Sequence, residues 1–353
     1  MGLFTHTTIV NPLVSIRRKR LLPKAGEVII GVGQNVSPMH VLARTPLTSQ
    51  YFVLPITGML GVEAEAVAER LLVPVGETVN QETVLAESKR LFGSKPILSP
   101  VSGTIEAIDN GRLIIKQSTD WLELRAMVQG RVISYETNLG VTLEIVGAHI
   151  QGVWATGDIT IGDLHIAVEG PSKPLAAENI PDRLNNVILV VGHIDEPDLI
   201  TNLADSNLRG IIAGSMSHNL CEIANTAGLS ILLTDGIGQY PMAEPIFQLL
   251  QAHADNEASL FTEYNMLVGE RPEIIIPHSG IPKIETPPYN KPLARGQTVR
   301  LLGSPYHGQI GTVMHLLSSK HNMFAGINGH GAVIMLKNGS KVFIPSSNLD
   351  VFI

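Results

Sequence analysis

A thirteen-residue pattern occurs twice in the first hundred residues: VGQNVSPMHVLAR (32–44) and VGETVNQETVLAE (75–87). The copies agree at six positions in one ungapped register: Val32/Val75, Gly33/Gly76, Val36/Val79, Val41/Val84, Leu42/Leu85 and Ala43/Ala86. Each reads as a turn, a short strand, a second turn and a second strand. Gly33 and Gly76 supply the positive φ of the first turn. The valines and the Leu-Ala pair fill one face of a small barrel. Chance likeness between hairpins explains the glycines more easily than the shared register, so we read the pattern as duplication or quasi-symmetry. A chain built this way is committed to short hairpins over its N-terminal part.

The second copy extends into a longer signature. Val75-Gly76, Val79, Val84-Leu85-Ala86-Glu87, a variable tip, Pro96-Ile97, Ser99-Pro100 and Ser102-Gly103-Thr104-Ile105 follow one another in order. This stretch resembles the barrel-sandwich hybrid domain of the RnfC component of the Rnf electron-transport complex, a plan shared with lipoyl and biotinyl domains. The resemblance implies a β-rich barrel-sandwich domain. In lipoyl and biotinyl domains the hairpin tip carries a modified lysine. The lysines here, Lys89 and Lys95, stand in AESKRLFGSKP, without an EAMKM-like or DKA-like context. We read them as solvated loop residues. The chain also lacks the cysteines for clusters and a glycine-rich flavin or nicotinamide loop, so the resemblance supports a scaffold module without implying redox chemistry. The β style continues to residue 170, punctuated by Gly130, Gly140, Gly147, Gly152 and Gly157 as short hairpins would be. Trp154 and His149 stand out there, as ligand contacts or, for the tryptophan, as a core or interface anchor.

From about residue 171 the period changes. VILVVGH (187–193), RGIIAGS (209–215) and SILLTDG (230–236) are continuous apolar runs, as strands buried on both faces require. EPDLITNLADS (196–206), HNLCEIANTAG (218–228) and EPIFQLLQAHA (244–254) carry helical spacing between and after them. The alternation predicts an α/β domain with a parallel sheet. Ligands in such sheets sit beyond the carboxyl ends of the strands, so the candidate ligand loop is Gly214, Ser215, Ser217, His218, Asp235, Gly236 and Gly238. SMSH before a helix loosely resembles the TSH segment that bears the phosphohistidine of swivelling domains in PEP-utilising enzymes, which would make His218 a phosphoryl carrier. The competing reading is that Ser215 or Ser217 caps the helix and His218 is an exposed first-turn residue. Asp195 and Asp235 lack an evident basic or metal partner, and Cys221 reads as a core thiol.

RPEIIIPHSGIPKIETPPYNKP (271–292) contains six prolines, each without an amide donor. It predicts a semi-rigid linker through which neither helix nor central strand runs. Beyond it, GQTVRLLGSPYHGQIGTVMHL (296–316) resembles a KOW motif, carried by Gly296, Val299-Arg300, Pro305, Gly308, Gly311 and Thr312-Val313. The strands around Asn338-Gly339 complete the pattern. The resemblance implies a C-terminal SH3-like β-barrel that binds RNA or protein. Arg300, Tyr306, Lys320, Lys337 and Lys341 are the candidate contacts for either, and attachment to a protein partner or to the acidic middle domain of the same chain explains the positive charge as well as RNA does.

The expected organisation is therefore mixed and multi-domain: an N-terminal extension (1–23), a β-rich barrel-sandwich hybrid domain (24–170), an α/β domain (171–270), a linker (271–292) and a KOW/SH3-like barrel (293–353). Charge follows the same division, with net −10 over 171–270 and +4 over 292–353. The apolar runs are far short of the ~20 residues of a membrane helix, so no membrane insertion is expected. The opening MGLFTHTTIV has no basic stretch followed by a long apolar one, and no signal peptide is expected. Cys221 is the sole cysteine, which excludes internal disulfides and multi-cysteine clusters and points to a reducing cytoplasm. There is no paired-carboxylate motif, HExxH, Walker loop or nucleophile elbow. We expect a non-catalytic scaffold or accessory protein that docks onto a larger enzyme or assembly, with a protein partner and no cofactor or metal. The alternatives are an RNA- or transcription-associated binder using the C-terminal barrel, and a phosphoryl or acyl carrier using His218 or Lys89.

Overall fold

The computed structural model describes residues 3–47, 50–89, 94–117, 121–265, 267, 269–278, 280, 291–322 and 328–353, with the side chains of 89, 318–322 and 328 left out. The fold is strand-rich, 48% strand against 15% helix, and contains several sheets. Among the described residues no helix is long and apolar enough to cross a membrane.

Strands Val10–Leu21, Gly140–Gln151, Gly130–Glu136 and Asn35–Val36 lie side by side in that order, all antiparallel. Strands Tyr51–Leu54, Arg112–Gln117, Gly103–Asp109 and Thr78–Val79 repeat the arrangement in a separate sheet. Each set has a companion hairpin, Val41–Pro46 with Trp121–Arg125 and Val84–Lys89 with Ser94–Leu98. The registers correspond: Gly130 faces Val36 as Gly103 faces Val79. Both companion hairpins bulge at the same place, with Leu42 skipped in one and Leu85 in the other, and both leucines are fully buried. Gly33 N–H donates to Val132 O as Gly76 N–H donates to Ile105 O. Gly33 and Gly76 hold φ of 88° and 94° at these turns. Gly103 and Gly130 serve closeness instead, since a Cβ would lie 2.1 Å from Lys116 O in one and 2.9 Å from Glu144 O in the other.

The two units are nested. The second occupies the chain between Pro46 and Trp121, which face each other across the first unit's companion hairpin. Each keeps its own apolar core, one around Val36, Leu42, Leu143 and Phe261, the other around Val79, Leu85, Ile105 and Ile115.

The parallel stack contains Thr160–Ile166, Val187–Ile194, Gly210–Met216 and Ile231–Ile237 in sequence order across the sheet. Pro197–Ala204 and Cys221–Ala227 are its crossover helices, and Glu244–Ala252 follows the last strand. The stack starts earlier than the change of period at 171. Thr160–Ile166 has a mixed burial pattern beside antiparallel Glu257–Phe261, so its sequence lacks the continuous apolar run of the other three parallel strands.

The proline-rich segment gives a second difference. Glu273–Pro277 is a central strand, paired with Glu257–Phe261 on one side and Gly140–Gln151 on the other. Its prolines bracket the strand: Pro272 precedes it, Pro277 ends it, and Ile274, Ile275 and Ile276 are fully buried between them. Burying each is worth about 1.5–3 kcal/mol. The expected linker therefore begins with a strand that joins the first unit to the parallel stack in one sheet; residues 281–290 lie outside the described residues.

The last sheet has the order His6–Thr8, Leu349–Phe352, Thr298–Leu301, Ile310–Asn322, Asn328–Leu336, Lys341–Pro345. His6–Thr8 is parallel to Leu349–Phe352, so the start of the chain pairs with its end. Residues 6–21, expected as an extension, thus form two strands in two different sheets.

Candidate functional site

The carboxyl ends of the parallel strands were the expected ligand position, and the structure brings most of the candidate loop together there. Asp235, two residues before the end of Ile231–Ile237, is 8% exposed. Asp235 accepts hydrogen bonds from Thr234 Oγ1 (2.7 Å), from Ala243 N–H (3.0 Å) and from Arg300 Nη1 (2.6 Å). Arg300 lies in Thr298–Leu301 of the C-terminal sheet. Its Nη1 also donates to Thr234 O (2.9 Å), and its Nη2 donates to Asp350 (2.5 Å). Asp350 accepts from Thr8 Oγ1 (2.8 Å), and Arg271 Nη1 donates to Thr7 O and to Thr8 Oγ1. One arginine and two carboxylates, all at most 8% exposed, therefore tie the strand ends to both termini of the chain.

The electrostatics follow from this geometry. Burial pulls the Arg300 pKa down, but Asp235 and Asp350 outweigh it and hold it above its ordinary value. A buried charge of this kind is tolerated only when paired and hydrogen-bonded. The expectation that Asp235 lacks a basic partner is corrected: its partner is 65 positions away in another sheet. Arg300, a candidate contact for RNA or for a protein partner, is spent within the chain, on the acidic middle segment and on Asp350. At 3% exposure, with both amino groups on carboxylates, Arg300 offers a phosphate no open face.

Gly214, Ser215, Gly236 and Gly238 serve the same junction, and Ser217 and His218 do not. Ser215 Oγ donates to Tyr240 O (2.6 Å) and accepts from Tyr240 N–H (2.8 Å). A Cβ on Gly214 would lie 2.5 Å from Met242 Cα, so the 240–242 backbone rides directly on that strand. Gly236 and Gly238 have φ of 133° and 147°, and the turn they make brings the Tyr240 ring to 4.1 Å from that of His307. Neither serine caps a helix: Ser217 precedes a 3-10 turn without a side-chain cap bond, and Ser215 is spent on Tyr240. Ser217 Oγ instead donates to Asp195 (3.3 Å), whose other oxygen lies 2.9 Å from His193 Nε2. Asp195 thus also has a partner. His218 is exposed at the start of the 3-10 turn, outside the buried cluster. Cys221, half-buried at the first position of its helix, has its thiol pKa pushed up by burial.

The other C-terminal candidates are scattered. Tyr306 is half-buried against the sheet's core, Lys337 Nζ is 3.7 Å from Glu244, and Lys341 is exposed on the last hairpin. The side chain of Lys320, like that of Lys89, lies outside the described residues. Trp154 is half-buried on the α/β core, and His149 is 3% exposed. Among the described residues no group of three or more His, Cys, Asp or Glu side chains is placed to hold a metal ion.

Sequence reading missed Thr8, Arg271 and Asp350, which complete the buried network. Arg271 sits beside Pro272 in the stretch assigned to a linker, and Asp350 is the one acidic residue of an otherwise basic segment. That isolation was the available signal. The run RRKR at 17–20 was also missed, on a strand whose alternate residues are buried. The chain matches no protein-family model and no curated protein.

Proposed function

We propose that this protein is a non-catalytic scaffold or accessory protein that docks onto a larger enzyme or assembly through its N-terminal strand-rich units. In this reading the nested units are barrel-sandwich hybrid modules, and the C-terminal sheet is a KOW-type, SH3-like module turned inward against the α/β layer. One observation carries the reading. Of the twenty large hydrophobic side chains exposed among the described residues, fifteen fall between Leu21 and Leu139. Exposed apolar side chains gathered in one region mark contact surfaces. Several are neighbours: Leu21 and Leu122 line one shallow hollow, and the Tyr135 hydroxyl accepts a hydrogen bond from the backbone of Val32. The carboxyl end of Ile231–Ile237, a position where a parallel sheet usually does chemistry, supports the same reading, because the chain's own Arg300 occupies it.

The test compares the wild-type chain with a Leu122→Asp/Tyr135→Asp variant, both expressed at native level in the source organism and purified under mild conditions. Leu122 and Tyr135 are 37% and 54% exposed and outside the apolar cores, so the variant should still fold, which a cooperative melt checks. The proposal expects one protein to co-purify stoichiometrically with the wild type and to be lost from the variant. A wild-type chain that elutes alone, or a partner retained by the variant, overturns it.

A further inference from the structure

A cavity of about 600 Å³ opens where the strand Val10–Leu21 meets residues 263–273 at one end of the first unit. Its floor is charged and largely shielded from water. Arg18 and Arg20 alternate with Arg17 and Lys19 along the strand, which puts the first pair on the inner face. Their guanidinium carbons stand 4.5 and 5.6 Å from the centroid of the Phe261 ring. Arg18 Nη1 donates to Glu273 Oε2 (2.8 Å). Arg20 donates Nε and Nη2 to Arg125 O, and its Nη1 is 3.9 Å from Glu263.

The charges on the floor do not balance. Arg18, Arg20 and Glu273 have side chains 19%, 10% and 13% exposed, whereas Glu263 on the rim is 73% exposed. Arg17, Lys19 and Glu270 complete the charged lining, and over all of it four cations face three carboxylates, leaving one positive charge in excess. Burial, more than the nearby Glu263 offsets, pulls the Arg20 pKa down, and Arg18 adds to the effect. His149, 3% exposed on the same wall, sets its Nε2 3.6 Å from Glu273, whose pKa it lowers, and its Nδ1 is buried without a hydrogen-bond partner among the described residues. Buried polar atoms in native folds are normally satisfied, so an orphan at a cavity wall calls for a partner. Ile16 and Tyr264 supply apolar wall above this floor.

We propose that this cavity binds a small organic carboxylate, with its carboxylate on Arg18 and Arg20 and its apolar body along Ile16 and Tyr264. A single negative charge matches the excess of the lining, and a dianion overshoots it. The volume suits a ligand of this class, since small-molecule sites span about 300–1,000 Å³.

Calorimetry on the full-length chain tests this with three probes: benzoate, its neutral isostere benzamide, and inorganic phosphate. Benzoate is expected to bind in the millimolar range or better and to raise the melting temperature, benzamide is not, and phosphate should bind more weakly than benzoate. Arg20→Gln should weaken benzoate about tenfold, the loss expected of one charge-assisted hydrogen-bonding partner. Should that variant fail to fold, Glu263→Gln on the exposed rim decides: removing a repelling charge should tighten benzoate about twofold or more at low salt. Absent benzoate binding, equal binding of benzamide, tighter binding of phosphate, or benzoate affinity indifferent to the substitutions overturns the proposal.

Discussion

Arg300 shows how a side chain's surroundings override its type. In sequence it is one of five basic residues near the C-terminus; in the fold it is the common partner of Asp235 and Asp350. Arg300→Ala should cost about 3–5 kcal/mol, because it leaves two buried carboxylates without their cation. Arg300→Ala combined with Asp235→Asn and Asp350→Asn should recover part of that loss; urea titrations of the single and triple variants measure both. Glu273 sets a pH dependence. Burial pushes its pKa up, but His149 and Arg18 outweigh burial and hold it below the ordinary value of 4.5. A carboxylate with a lowered folded-state pKa contributes stability that is full above the unfolded value and is lost as pH falls through the folded one. Melting temperature should therefore drop below about pH 4.5, and less steeply in Glu273→Gln. Arg300, Asp235 and His149 stood out in the sequence, with Asp235 near a strand end; Asp350, Arg18 and Glu273 did not. Their pairings were not, because each joins strands separated by 50 to 255 positions, and nothing local encodes such a contact.

At the scale of elements, the duplicated pattern was the most informative feature of the sequence. It sets the same two turns, the same bulge and the same buried leucines in both copies. The three apolar strands and three helices of the acidic segment were equally visible, because continuous burial and helical spacing are local signals. Two strands escaped. Thr160–Ile166 lies between a parallel and an antiparallel neighbour and carries the alternation of neither pure class. Glu273–Pro277 hides among prolines that stand only at its margins. Nesting was also illegible, since a repeat in sequence does not say that one copy is inserted in the other. It has a testable consequence. Pro46 and Trp121 are paired across the hairpin from which the second unit departs, and the two units keep separate cores. Replacing residues 47–120 with an Asn-Gly turn, the favoured two-residue hairpin connection, should leave the remainder folded. Its circular dichroism should retain a cooperative melt. A molten product would mean that the second unit supports the first through contacts beyond that hairpin.

Across the whole molecule, the sheets are joined at points far apart in the chain. The long sheet runs without a break from the first unit through Glu257–Phe261 and Glu273–Pro277 into the parallel stack. The C-terminal sheet is held to that body by the Arg300 cluster, the Tyr240–His307 ring contact and the first strand of the chain. That strand does three things at once. It covers the edge of Leu349–Phe352, its Thr8 hydroxyl donates to Asp350, and the same hydroxyl and the carbonyl of Thr7 accept from Arg271. Removing residues 1–8 should therefore weaken the C-terminal sheet far more than an eight-residue trimming of a loose terminus would. It bares an edge strand, strips one partner from a buried aspartate and leaves Arg271 with fewer acceptors. Hydrogen exchange should show faster opening of Leu349–Phe352 and Thr298–Leu301, with the parallel stack Val187–Ile237 close to its wild-type protection. Loss confined to the C-terminal sheet would make the strand a clasp between otherwise self-sufficient parts. A uniform loss of protection would instead make the whole chain one cooperative unit, with the buried arginine cluster as its shared centre.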